Sequence, residues 1–207
     1  MEMEINFLKY NVRPTETIIK KFVNDFNKNN LYDSENYLAA IRLTEAFFSN
    51  NDYKNIFIKV NFINGAFKTT IGDTFGVSKQ IFENVKDIDN RLEGGDTSLV
   101  NEIARYKVSN SNKVRYNFSF ATKFCHCHKP DKFPINDKFV RNSLFEFNKH
   151  FKFSKFTKKN LLDYDNFLRV LKDFKKLLDH DEIGNAIIDR FLWALGKQVE
   201  RNKSNAE

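Results

Sequence analysis

Apolar residues along this chain recur mostly at helical spacing. Pro14-Thr15-Glu16 reads as a helix start, and Ile18, Ile19, Phe22, Val23 and Phe26 then keep to one face. Ser34 with Glu35 opens a second helix carrying Leu38, Ile41, Leu43, Phe47 and Phe48. The period then changes to two. Ile56, Ile58, Val60 and Phe62 alternate, Asn64-Gly65 follows, and Phe67, Thr69 and Ile71 alternate again. An Asn-Gly pair between alternating runs is a strong hairpin signal, so the pattern predicts a β-hairpin at about residues 55–72.

Helical spacing resumes at Val77, Ile81, Phe82 and Val85. Gly94-Gly95-Asp96 interrupts it, and Asp96 or Thr97 can cap a short helix with Leu99, Val100 and Ile103. A polar stretch, Ser109 to Lys113, leads into the segment 119–141, which reads as an amphipathic helix, a Pro-bounded connection and the start of a second helix. That second helix extends to about Phe147, followed by a basic, aromatic run over Lys149–Lys159 and an amphipathic helix over 161–178. A last helix over 184–195 carries Phe191, Leu192, Trp193 and Leu195 as core, and Gly196 takes the position that follows a helix end. The polar tail 201–207 is expected to fray. No repeat or low-complexity linker divides the chain, which is read as a single domain over 1–207, of one lobe or two.

Composition supports a mainly helical reading, with 23 Phe against 7 Gly and 3 Pro, and a 41% hydrophobic content excludes wholesale disorder. The 34 basic and 27 acidic residues give a net charge of +7, which favours an anionic partner such as nucleic acid. The basic residues are scattered, so solvated helix faces explain them equally well. Cys125 and Cys127 are too few and too close for a disulfide framework. With no signal peptide and no apolar run of ~18 residues, a soluble cytoplasmic protein without membrane contact is expected.

Candidate chemistry narrows quickly. Cys125-His126-Cys127-His128 offers zinc-ligand types, but four consecutive helical residues point around the whole circumference and cannot converge on one ion. The expectation is therefore no metal and no cofactor, with two core cysteines and two edge histidines. Classical nucleophile motifs and phosphate-cradling glycine loops are absent from the sequence. His180-Asp181-Glu182 reads as the solvated start of the last helix. Asp137 stands at the N-terminal edge of its helix, where a carboxylate accepts free backbone N–H groups and meets the positive end of the helix dipole. It is either a cap or a catalytic group.

The segment around it resembles the helix-hairpin-helix DNA glycosylase superfamily. Ser119-Phe120-Ala121, then Phe133-Pro134-Ile135-Asn136-Asp137 and Val140, match the family's hairpin-following helix and its Pro-x-x-Asp-like turn without a gap. The match covers residues 119–141. It implies a mainly α fold, a helix-hairpin-helix glycosylase-like core with the one β-hairpin inserted. It also implies a monofunctional DNA N-glycosylase with Asp137 as catalytic carboxylate, stabilising positive charge on the sugar or activating water. The target base would be flipped into a pocket. Ser119 replaces the Schiff-base lysine of the bifunctional enzymes. Lys123 lies one turn on, where it either substitutes for that lysine or faces solvent and phosphate. The hairpin, Val114-Arg115-Tyr116-Asn117-Phe118, lacks the family's glycines, leaving Lys113 and Arg115 to hold phosphate by side chains. Lys138 and Arg141 are further phosphate-contact candidates. The expected partner is DNA, with RNA open. Two other readings stand beside the enzyme: a non-catalytic nucleic-acid-binding module, and a protein-interaction domain whose Asp137 only caps.

Overall fold

The computed structural model describes residues 13–178 and 183–204, the side chains of 202–204 excepted, so His180-Asp181-Glu182 and residues 205–207 lie outside the described residues. The architecture is mainly helical. In chain order come α1 (Glu16–Asn29), α2 (Leu31–Ala46), α3 (Tyr53–Ala66), α4 (Thr74–Asn84), α5 (Ile88–Gly94) and α6 (Ser98–Ala104). A two-stranded antiparallel ribbon follows, β1 (Arg105–Lys107) and β2 (Val114–Tyr116). Then come α7 (Phe118–His128), α8 (Lys138–Phe151), α9 (Tyr164–Leu177) and α10 (Asn185–Ser204). The chain forms two compact units: Asn27–Asn136 is one, and the described residues up to Phe26 with those from Asp137 onward are the other.

The hairpin expected at 55–72 is a helix. Ile56, Lys59, Val60 and Ile63 are the buried positions of α3, spaced by three and four, whereas Phe57 and Ile58 are exposed. The run is apolar on nearly every side, so both periods fit it. Its start is settled by the Asp52 side chain, which accepts from Lys54 N at 2.7 Å as an N-cap. Asn64 serves the loop after α3, not a turn between strands. Its side chain accepts from Ile71 N at 2.9 Å and from the Thr69 hydroxyl at 2.8 Å. The strands form instead where the sequence shows a polar stretch, turning through Asn110 at φ 54°, a left-handed conformation that asparagine tolerates.

In the Asn27–Asn136 unit, α3 packs on α2 and α4, and α6 on α7, around Ile56, Val60, Ile81, Ile103 and Phe124. A charge sits in this interior. Lys59 is fully buried, and its ammonium donates to the carbonyls of Phe47 (2.8 Å) and Ser49 (3.2 Å) and to Asn50 Oδ1 (2.6 Å). It thereby satisfies backbone oxygens just past the end of α2. Asn50 in turn donates to Asp89 through its side chain (2.6 Å) and backbone (3.0 Å). Burial lowers the Lys59 pKa from its ordinary 10.5 to about 8, partly opposed by Asp89.

In the other unit, α8 packs against α10, and Phe147 meets Phe174 at 5.0 Å and Phe191 at 6.2 Å. The basic run 149–159 turns its lysines outward, while Phe153 packs on Phe174 at 5.5 Å. Trp193 is only half-buried and lies between the cations of Arg190 (4.6 Å) and Lys197 (4.7 Å). Gly196 does not end the last helix, which runs on to Ser204. A Cβ there would lie 2.6 Å from the Phe139 carbonyl oxygen, so glycine is what lets α10 approach the first turn of α8.

Replacing Lys59 with Met leaves three oxygens, one of them buried and two part-buried, without this donor and should cost about 3 kcal/mol in urea unfolding at pH 7. The unfolded chain holds this proton more tightly, so the wild type should gain stability as pH rises from about 8 to 10.5 and lose that part on return. Lys59→Met should lack that rise.

Candidate nucleic-acid interface

Helix α6 runs directly into β1, and α7 starts two residues after β2, with Asn117 N donating to the Ala104 carbonyl at 2.8 Å to close the ribbon. The chain here is therefore helix, ribbon, helix, with the two helices packed on each other. Arg105 pairs with Tyr116, Tyr106 with Arg115, and Lys107 with Val114. Directly opposed residues share a face, so Arg105, Lys107, Val114 and Tyr116 lie together and Tyr106 with Arg115 on the reverse. Tyr106 is buried; the other five are exposed. Tyr116 is steadied by stacking on Phe118 at 6.0 Å and by donating to Asn101 Oδ1 of α6. No acidic residue occurs between Arg105 and Pro130, and among the described residues Arg105, Lys107 and Lys113 have no acidic partner.

Asp73 holds this ribbon to α4. Its carboxylate accepts from Gly76 N (2.8 Å) as the cap of α4, and from Ser109 N (2.6 Å) and the Ser109 hydroxyl (3.0 Å) at the ribbon turn. Burial raises the Asp73 pKa, but these three donors together with the facing Arg115 guanidinium outweigh it and hold the group below its ordinary 3.8. Gly76 is required at the same point. A Cβ would fall on the Asp73 carboxylate and 3.0 Å from the Lys107 carbonyl.

Ser119 and Lys123 come together on α7, the ammonium donating to Ser119 Oγ at 3.1 Å. Lys123 is buried, with its charge 5.8 Å from the Phe67 ring, so the surface position allowed for it in the sequence is not the one it takes. Nor are the two histidines at an edge. His126 is fully buried between the Tyr37 hydroxyl (2.9 Å) and the Phe133 carbonyl (2.9 Å), with Nδ1–H donating to that carbonyl. His128 Nε2 is buried without a hydrogen-bond partner, and burial with nearby Lys59 and Lys129 lowers its pKa to about 3. Burial raises both cysteine thiols far above their ordinary value, with Cys127 adding to the shift of Cys125. Thr122 went unread in the sequence: its hydroxyl accepts from Asn136 N at 3.2 Å and so seats the chain just before Asp137.

Asp137 is the N-cap of α8. Its Oδ1 accepts from Phe139 N (2.9 Å) and Val140 N (3.1 Å), and the residue is 4% exposed. Arg141, one turn on, is half-buried; burial lowers its pKa while the Asp137 charge pulls it up. Lys138 is exposed but paired with Glu200 at 2.8 Å, so a phosphate would have to displace that carboxylate. Within α8, then, the geometry groups Asp137 with Arg141 and sets Lys138 apart.

The HI_0787_N family, described as an N-terminal domain, matches residues 13–132. The chain belongs to that family. An uncharacterized protein of Haemophilus influenzae is 34% identical over 178 residues, covering 84% of each chain. No solved structure matches. The HI_0787_N match takes in the ribbon, Asp73, Lys123 and the buried lysine of α3, and stops short of Asp137. No helix among the described residues is long and apolar enough to cross a membrane.

Asp73→Ala should cost about 1–2 kcal/mol at pH 7, the worth of an N-cap with its second bond. Because the native value is depressed, that stabilisation is complete above pH 3.8 and lost as the pH falls through the lower native value. The gap between wild type and variant should accordingly close in acid. Amide exchange at Ser109 and Gly76 should accelerate in the variant.

Proposed function

We propose that the protein binds DNA through its basic ribbon and acts as a monofunctional N-glycosylase, with Asp137 as the carboxylate that assists hydrolysis of the sugar–base bond. The observation that carries the reading is the α6–ribbon–α7 arrangement. Two packed helices present a turn-and-ribbon whose exposed face carries Arg105 and Lys107, which have no acidic partner among the described residues, and this suits a phosphate backbone. The tight glycine turn of the glycosylases has become a longer ribbon, and side chains take over the phosphate contact that bare backbone would make.

Asp137 supports the chemical half of the reading. Two backbone donors fix its carboxylate at a helix start, and burial keeps bulk water from it. Lys123 is tied to Ser119, so water is the better candidate nucleophile than an amine, and strand cleavage is not expected. A non-catalytic DNA-binding role is favoured by one observation, that the Asp137 carboxylate already serves as a cap.

Wild type and Asp137→Asn, incubated with duplexes bearing a panel of modified bases and then treated with alkali, should separate these readings. Asparagine caps as well as aspartate, so folding should persist. Base release is expected from the wild type and should fall by about 10²-fold or more in the variant. Arg105→Ala with Lys113→Ala should flatten the salt dependence of duplex binding by roughly two in log–log slope. Salt-sensitive binding with no base release would favour the non-catalytic module.

A further inference from the structure

Along the outside of α3 and α4 lies a group of aromatic rings that the core does not use. Tyr53 is its hub, stacking on Phe57 at 5.9 Å and meeting Phe75 at 6.1 Å and Phe82 at 5.9 Å edge-on. Phe57, Phe75 and Phe82 remain 37%, 52% and 43% exposed, so three rings that a core would bury face solvent side by side. A contiguous apolar patch of this kind marks a contact surface. Phe75 also stands at the rim of an open groove of about 640 Å³, between α4 and the turn joining β1 to β2. Lys79 and Lys107 flank that groove, the amides of Gln80, Asn84, Asn110 and Asn112 line it, and Glu83 is its one acidic lining residue.

We propose that this rim and groove bind single-stranded DNA next to the duplex held by the ribbon, with bases stacked on Phe75 and Phe82 and phosphates paired to Lys79 and Lys107. The proposal rests on the DNA-binding reading above. Aromatic faces with interleaved cations are how single strands are held without sequence preference. Side-chain amides supply both donors and acceptors, which suits unpaired base edges and has no use in a purely apolar contact. Charge complementarity points the same way. Lys107 belongs both to the groove and to the exposed ribbon face with Arg105, so one cation is common to the two surfaces, and the groove's two lysines outnumber its single acid, Glu83. Lys79 is held only loosely by Glu83, at 3.8 Å with both side chains half exposed, and is available to a phosphate.

The test compares a labelled blunt duplex with the same duplex carrying an oligo-dT tail, by fluorescence anisotropy. The wild type should bind the tailed form about tenfold tighter, the order that one or two stacked bases supply. Phe75→Ala with Phe82→Ala should remove that advantage and leave blunt-duplex affinity unchanged. Lys79→Ala, which leaves the rings in place, should reduce it. Equal wild-type affinity for both forms would overturn this inference while the DNA reading stands. Equal loss on both forms in the aromatic variant would also overturn it, by assigning the rings a structural role. Absence of wild-type binding to either form would sink the DNA reading and this inference together. A self-association that disappears in the aromatic variant would overturn it by giving the patch to a second copy of the chain.

Discussion

The Asp73 carboxylate is the joint on which the surface of the Asn27–Asn136 unit depends. A two-stranded ribbon of three residues a side has little stability of its own, so its direction must be set from outside. Buried Tyr106, the Asn117–Ala104 bond and the Tyr116–Asn101 contact fix its base to α6 and α7. Asp73 holds the far end, at Ser109, and it does so while capping α4. One ionised group thus sets the angle between the ribbon turn and α4, and with it the width of the groove between them. Gly76 completes the joint, because any side chain there would push the Lys107 carbonyl away.

Behind that surface the unit's interior is also positive. Lys59 and Lys123 are both buried, and the first is solvated by backbone and amide oxygens in place of water. Of the neighbouring imidazoles, His128 is kept neutral first by burial and then by Lys59, and His126 is held between the Tyr37 hydroxyl and the Phe133 carbonyl. Interior charge of the same sign as the ribbon adds to its field at the surface instead of cancelling it. Asp89, linked through Asn50, provides the local compensation that makes a buried Lys59 tolerable.

Much of the helical framework was readable from spacing and caps. Pro14-Thr15-Glu16 does mark the start of α1, which begins at Glu16, and Asp137 does cap α8. Ser119 and Lys123 meet because residues four apart on a helix are neighbours. The failures have physical causes. In α3 the apolar residues surround the helix, so a period of two could be found in a sequence folded with a period near 3.6. The true ribbon shows no alternation to find, since β2 is exposed throughout and its anchor lies 36 residues away at Asp73. Gly196 read as a helix stop because glycine usually is one there, whereas its cause is the approach of Phe139, a tertiary fact.

The same approach bears on what Asp137 can do. A carboxylate at a helix start is only as well placed as the first turn that holds it. Here the turn is clamped from two sides. Phe139 N and Val140 N fix the side chain from within α8, and Gly196 allows the α10 backbone to rest directly against Phe139. Arg141, one turn further, is held in its charged form by the Asp137 carboxylate against the effect of its own burial. A cap held this way is compatible with the proposed catalytic role as well as with the purely structural one. The bonds that make it a cap also remove the rotational freedom that a reacting carboxylate would otherwise lose at the transition state, which is the pre-organisation that electrostatic catalysis requires.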